Sequence, residues 1–239
     1  MKKILMIILI ISACNIGSAQ NLKSVLDKNS KALGLSKRKS ISNLKTTGYV
    51  VMSDSDARIP FKMLQTRPDL LRIETSIFGF KAIQTYDGKT AWQLNPTQGL
   101  EAIKNDPRDM EFIAAATALD GPFSVNKDDK YTLKYLGADT YLDKAVEVVV
   151  WTSDKERLKY YISTSNYYIE GIRYEYQKNG GWYSMEYRIK SYQEYEGTMF
   201  PKEVSAVING VEMISLYITS LGPIVNYDPT KFGKPSYEL

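Results

Sequence analysis

Between Leu44 and Ser220 the apolar positions mostly recur every second residue, as in strands with one buried and one wet face. The alternation is clearest where Ile172, Tyr174 and Tyr176 interleave with Arg173, Glu175 and Gln177. It repeats where Met185, Tyr187 and Ile189 interleave with Glu186, Arg188 and Lys190. The pattern predicts strands over 45–53, 59–66, 70–76, 80–86 and 90–95, then over 131–137, 141–151, 157–163, 168–177, 182–192, 200–208 and 211–220. Asp87-Gly88, Asn179-Gly180-Gly181 and Asn209-Gly210 supply hairpin turns, because these residues tolerate the positive φ that tight turns demand.

Two stretches break the rhythm. Leu22, Val25, Leu26 and Leu33 fall on roughly one face of a helix that Gly34 stops. Asp106 is a suitable N-cap and Pro107 fits the first position of a second helix, which runs to about Leu119. Its Met110, Phe112, Ile113, Ala114, Ala116 and Leu119 make it apolar over most of its circumference, so it needs protein or lipid on more than one side. About twelve strands in one meander, with no dividing linker, predict a single mainly β domain over 20–239. A twisted sheet of this length curls on itself and covers its inner face or leaves an apolar hollow there.

Composition narrows the function. Histidine is absent, which removes Ser-His-Asp and Cys-His catalysis and histidine metal sites. Cys14 is the only cysteine, so no internal disulfide or thiolate cluster forms. Two of the 31 basic residues, Lys2 and Lys3, precede the apolar run, leaving 29 against 27 acidic residues. That balance does not support nucleic-acid binding by phosphate neutralisation. The acidic pairs Asp54/Asp56, Asp106/Asp109 and Asp128/Asp129 lie in turns or at a helix start, where Asp is expected for backbone reasons. No catalytic residue, metal or cofactor is expected.

The N-terminus reads as an export signal over residues 1–19: basic Met1-Lys2-Lys3, then an apolar run from Ile4 to Ile11 too short to span a bilayer. Two cleavage readings stand side by side. Gly17-Ser18-Ala19 precedes Gln20 with small residues where signal peptidase requires them, while Ile11-Ser12-Ala13-Cys14 resembles a lipobox that would lipidate Cys14. Either product is expected in the periplasm, free or anchored at the outer membrane.

Two further motifs bring a family into view. Arg67-Pro68-Asp69-Leu70-Leu71, then Tyr86-Asp87-Gly88-Lys89-Thr90-Ala91-Trp92 with Asn95-Pro96, resemble the strand and hairpin motifs of the LolA/LolB superfamily of lipoprotein carriers, in the same order and at the same spacing. The resemblance implies an incomplete, half-open antiparallel β-barrel of about 11–12 strands, lidded by helices over an apolar cavity that takes lipoprotein acyl chains. It also implies an inner-membrane exporter and the outer-membrane surface as partners, a monomer, and no chemistry.

Under that resemblance Arg67 is the arginine that bonds lid-helix carbonyls. Leu71 and Ile73 share its face by alternation, Trp92 and Leu94 share the inner face of the next strand, and Phe112 and Ile113 belong to the lid. The tip Ile77-Phe78-Gly79-Phe80 falls where LolB-type receptors resemble one another in carrying a protruding apolar loop, so Ile77, Phe78 and Phe80 are candidate membrane or partner contacts. Cys14 and this tip lean toward a receptor; the DGKT-Trp-NP hairpin leans toward a shuttle. An RseB-type envelope sensor is an alternative that needs a second small domain, for which little chain remains after Leu221. A carboxylate hydrolase needs two inward carboxylates, and alternation turns most Asp and Glu outward.

Overall fold

A computed structural model describes residues 21–77, 79–124, 131–178 and 180–237. Among these residues thirteen antiparallel strands form one sheet. The first six are β1 (Asn43–Met52), β2 (Arg58–Thr66), β3 (Leu70–Ile77), β4 (Phe80–Tyr86), β5 (Ala91–Leu94) and β6 (Ile103–Asn105). The other seven are β7 (Thr132–Tyr141), β8 (Lys144–Thr152), β9 (Glu156–Ser163), β10 (Ile169–Lys178), β11 (Gly181–Tyr195), β12 (Thr198–Ile208) and β13 (Val211–Gly222). In space the order is β6-β5-β4-β3-β2-β1-β13-β12-β11-β10-β9-β8-β7, so β6 and β7 are the edges and the sheet stays open as a half-barrel.

The expected single meander is thus two. The chain builds outward from β1 to β6, crosses through helix α3 (Pro107–Thr117) to the far edge, and returns from β7 to β13, which pairs with β1. Lys45 lies opposite Gly222 and Val50 opposite Leu216. No local pattern announces that pairing, and three-residue β6 is too short to show a period. Boundaries shift by a few residues in most strands, and most of all between β7 and β8. The predicted break around 138–140 is absent, because Gly137 (φ 104°) sits at a bulge within β7. The hairpin turn comes later, at Leu142 and Asp143, both with positive φ.

Residues 21–33 form helix α1, ended by left-handed Gly34, and α2 (Leu35–Arg38) follows directly. Val25 and Leu33 of the α1 segment pack into a core with Val149, Leu158, Tyr160, Ile162 and Ile172, filling the concave side of β8–β10. The outer face of β2–β4 is covered by the C-terminal tail. There Arg72 Nη1 donates to Lys231 O at 2.9 Å, Thr85 Oγ1 donates to Gly233 O at 2.8 Å, and Phe232 is buried. Among the described residues no helix is long and apolar enough to cross a membrane.

Candidate functional site

Helix α3 carries the site, and its sequence explains how. Asp106 caps its N-terminus by accepting from the Arg108 amide at 3.1 Å. Three stripes then face three surroundings. Met110 and Ala114 pack on Leu71, Tyr86 and Ala91 of β3–β5. On the opposite side Phe112 stacks on Tyr187, centroids 4.8 Å apart, and on Tyr174 at 5.6 Å, reaching β10 and β11. Between these stripes, Ile113, Ala116 and Thr117 face a cavity of about 280 Å³. These three stripes thus engage the two halves of the sheet and the cavity between them.

The cavity lies along the concave face where the two meanders meet. Leu44, Thr46 and Val50 of β1 form its floor, with Phe61, Met63 and Ile73 on one side and Val204, Ile214, Leu216 and Ile218 on the other. Leu44 to Val50 is six residue steps of strand, roughly 20 Å of wall at about 3.3 Å per residue. A larger hollow of about 490 Å³ opens at the β1–β2 turn, but Ser53, Asp54, Ser55, Asp56 and Glu212 line it and make it a polar surface cleft.

Turns and helices close one end of the cavity. Ile41, Leu44, Leu119 and Phe200 form a small cluster there, and the end of β2 and the residue just after it supply the polar ties that hold it. Gln65 Nε2 donates to Thr117 O at 2.7 Å and to Thr117 Oγ1 at 2.8 Å, satisfying a carbonyl at the helix C-terminus. Arg67 donates from Nε to Ile41 O at 3.2 Å, from Nη2 to Arg38 O at 3.0 Å and Leu119 O at 3.4 Å, and pairs with Asp120. One guanidinium thus ties the end of α2 to the segment that leaves α3.

The other end carries the hairpin tips. Register places the β1–β2, β3–β4, β10–β11 and β12–β13 turns together, since Val51 faces Arg58, Ile77 faces Phe80, Met185 faces Ile208 and Met52 faces Ile214. Met52, Phe80, Trp182, Ile208, Val211 and Met213 are all exposed along this rim.

Of the residues singled out in the sequence, Ile73 and Ile113 line the cavity. Leu71 and Phe112 lie in the cores on either side of α3. Trp92 and Leu94 are corrected: they stand on the outer face. Trp92 pairs with Thr85 and Leu94 with Ile83, while Thr85 binds the C-terminal tail and Tyr86 points inward. Lys234 Nζ lies 5.4 Å from the Trp92 ring centroid. Alternation puts both on one face of β5, and the C-terminal tail gives that outer face a cover of its own. Phe80 is 48% exposed. The Ile77 backbone ends β3, while Phe78 and Cys14 lie outside the described residues. Arg38, Gln65 and the alternating Ile214, Leu216 and Ile218 were missed; the β13 alternation was visible, its place beside β1 was not.

No family model matches the sequence, and neither does any curated protein. Solved structures do match the fold. A domain assigned to outer-membrane lipoprotein sorting from Vibrio parahaemolyticus superposes with TM-score 0.54 at 13% identity, covering 86% of this chain and 97% of that one. A LolA superfamily protein from Nitrosomonas europaea gives TM-score 0.54 at 14% identity over 84% and 96% of the two chains. This is a LolA-like fold. A DUF1329 family protein from Desulfovibrio piger shares it with TM-score 0.57, 11% identity, and 87% and 96% coverage. At such identities the likeness concerns the LolA-like half-barrel alone.

Proposed function

We propose that this protein is a non-catalytic, monomeric periplasmic carrier that holds acyl chains of lipoproteins, or of a related lipid, in the cavity beneath α3 and passes them to the outer membrane. The observation that carries the reading is the apolar hollow of about 280 Å³ bounded by Leu44, Phe61, Ile73, Ile113, Leu216 and Ile218. Each methylene buried there contributes roughly 0.8 kcal/mol, so a chain of ordinary length is held firmly. An inner-membrane exporter loads it, and the arginine tie between α2 and the end of α3 sets how readily the helix moves aside. Native mass spectrometry of gently purified protein is expected to find a lipid or acylated peptide. Replacing Ile113→Trp is expected to displace it while the fold survives. Protein that is empty after extraction and takes up no acyl probe overturns the reading.

A membrane-anchored receptor is the second reading, favoured by the exposed rim of Phe80, Trp182 and Val211. The mass of the mature N-terminus separates the two, with diacylglyceryl Cys14 marking a receptor and Gln20 a shuttle.

A further inference from the structure

At the helix-covered end the cavity wall includes a buried cation. Arg38, the last residue of α2, is 6% exposed and lines the cavity with Leu44, Phe200 and Leu221. Its Nε donates to Thr198 Oγ1 at 3.1 Å and its Nη2 to Met199 O at 2.5 Å, and its guanidinium lies 4.2 Å over the Phe200 ring. Nη1 makes no hydrogen bond among the described residues, and Arg38 forms no ion pair with any described carboxylate. Another cation, Arg67, lies close enough to bond the Arg38 carbonyl and opposes its charge, and Arg67's own partner is Asp120.

Buried charges are ordinarily paired, because desolvation penalises an uncompensated one heavily. Holding α2 on β12 needs only two donors, which a neutral side chain supplies, yet this position carries a full charge. Burial draws the guanidinium down to about 10, so it remains protonated at neutral pH. The site therefore combines an apolar trough, one excess positive charge at its covered end and a free donor.

We infer that the cavity binds a single-chain fatty carboxylate with its head inward on Arg38 and its alkyl chain running along β1 toward the hairpin rim. The head must be compact, because Thr198, Met199 and Phe200 crowd the guanidinium and leave little of it exposed. A planar carboxylate is matched by the guanidinium fork. This inference rests on the acyl-binding reading of the same cavity and adds the class and orientation of the ligand.

The test is displacement of an uncharged fluorescent alkyl probe from the full exported protein by myristate, myristyl alcohol and myristoyl lysophosphatidic acid. Myristate is expected to bind at least tenfold more tightly than the alcohol. Arg38→Gln removes that preference without abolishing binding of the alcohol, and Arg38→Lys restores part of it. Equal affinity of myristate and alcohol for the wild-type protein overturns the inference and leaves the acyl cavity standing. Tighter binding of lysophosphatidic acid than of myristate overturns the carboxylate assignment. Absence of binding by all three overturns the acyl-binding reading itself. The wild-type comparison decides even where an Arg38 variant does not fold.

Discussion

Gln65 Nε2 lies 2.7 Å from the main-chain oxygen of Thr117 and 2.8 Å from its hydroxyl, joining the middle of the sheet to the last turn of α3. Gln65 is buried, so its amide has no water to fall back on. Gln65→Leu is expected to cost about 1–3 kcal/mol and to speed amide exchange selectively in residues 107–117. Uniform acceleration across β7–β13 would show that the bond is not specific to the helix.

Arg67 makes three carbonyl bonds and one ion pair at the same end. Arg67→Leu is expected to loosen α2 and α3 together and raise the dissociation rate of a bound acyl probe several-fold. Arg67→Lys should fail to restore the wild-type rate, since a point charge cannot reproduce a planar fork reaching Arg38, Ile41 and Leu119. Stopped-flow displacement of the probe checks both.

Trp92 and Ile113 make a contrasting pair. Trp92→Phe acts on the outer face beside Lys104 and Lys234, and is expected to leave acyl-probe affinity within about twofold. Ile113→Trp acts inside the cavity and should abolish probe binding. Fluorescence titration of both variants gives the comparison, and a reversed outcome places the ligand elsewhere.

On the outer face Glu186 is 4% exposed and accepts from Tyr141 Oη at 3.0 Å, from Arg188 Nε at 2.6 Å and from Arg173 Nε. Burial pushes its carboxyl up, but the bonds from Arg188 and Arg173 outweigh that and hold it below the usual 4.5. A lowered folded-state value means the ionised group stabilises the fold above pH 4.5, and that contribution fades as acid protonates it. Glu186→Gln is expected to cost about 3 kcal/mol at neutral pH. The gap from wild type should narrow as the pH falls below 4.5, as urea titrations across the range would show.

Beside it, a Cβ on Gly171 would meet Tyr141 Oη at 2.3 Å and Cζ at 2.6 Å. Gly171→Ala is expected to lower stability by about 1–3 kcal/mol through overpacking. In a Tyr141→Ala background the same change should cost nearly nothing, because the ring it meets is gone. Additive thermal shifts in the double variant would overturn that coupling.

Sequence alone determined the elements whose causes are local. Period-two alternation marked twelve of thirteen strands, Asp106-Pro107 opened α3 and Gly34 closed α1, because caps, turns and half-buried faces leave their mark within a few residues. The apolarity of α3 over most of its circumference also pointed to contacts on more than one side, as its packing against both halves of the sheet bears out. Tertiary structure alone decided which wall each residue joined. Trp92 and Leu94 turned outward because the distant C-terminal tail covers that face. The cavity formed where β13 meets β1, a pairing between strands whose residues are more than 160 positions apart, with no short-range signal. Arg38 carries no local mark of its place, and only folding set it on an apolar wall with no carboxylate partner among the described residues.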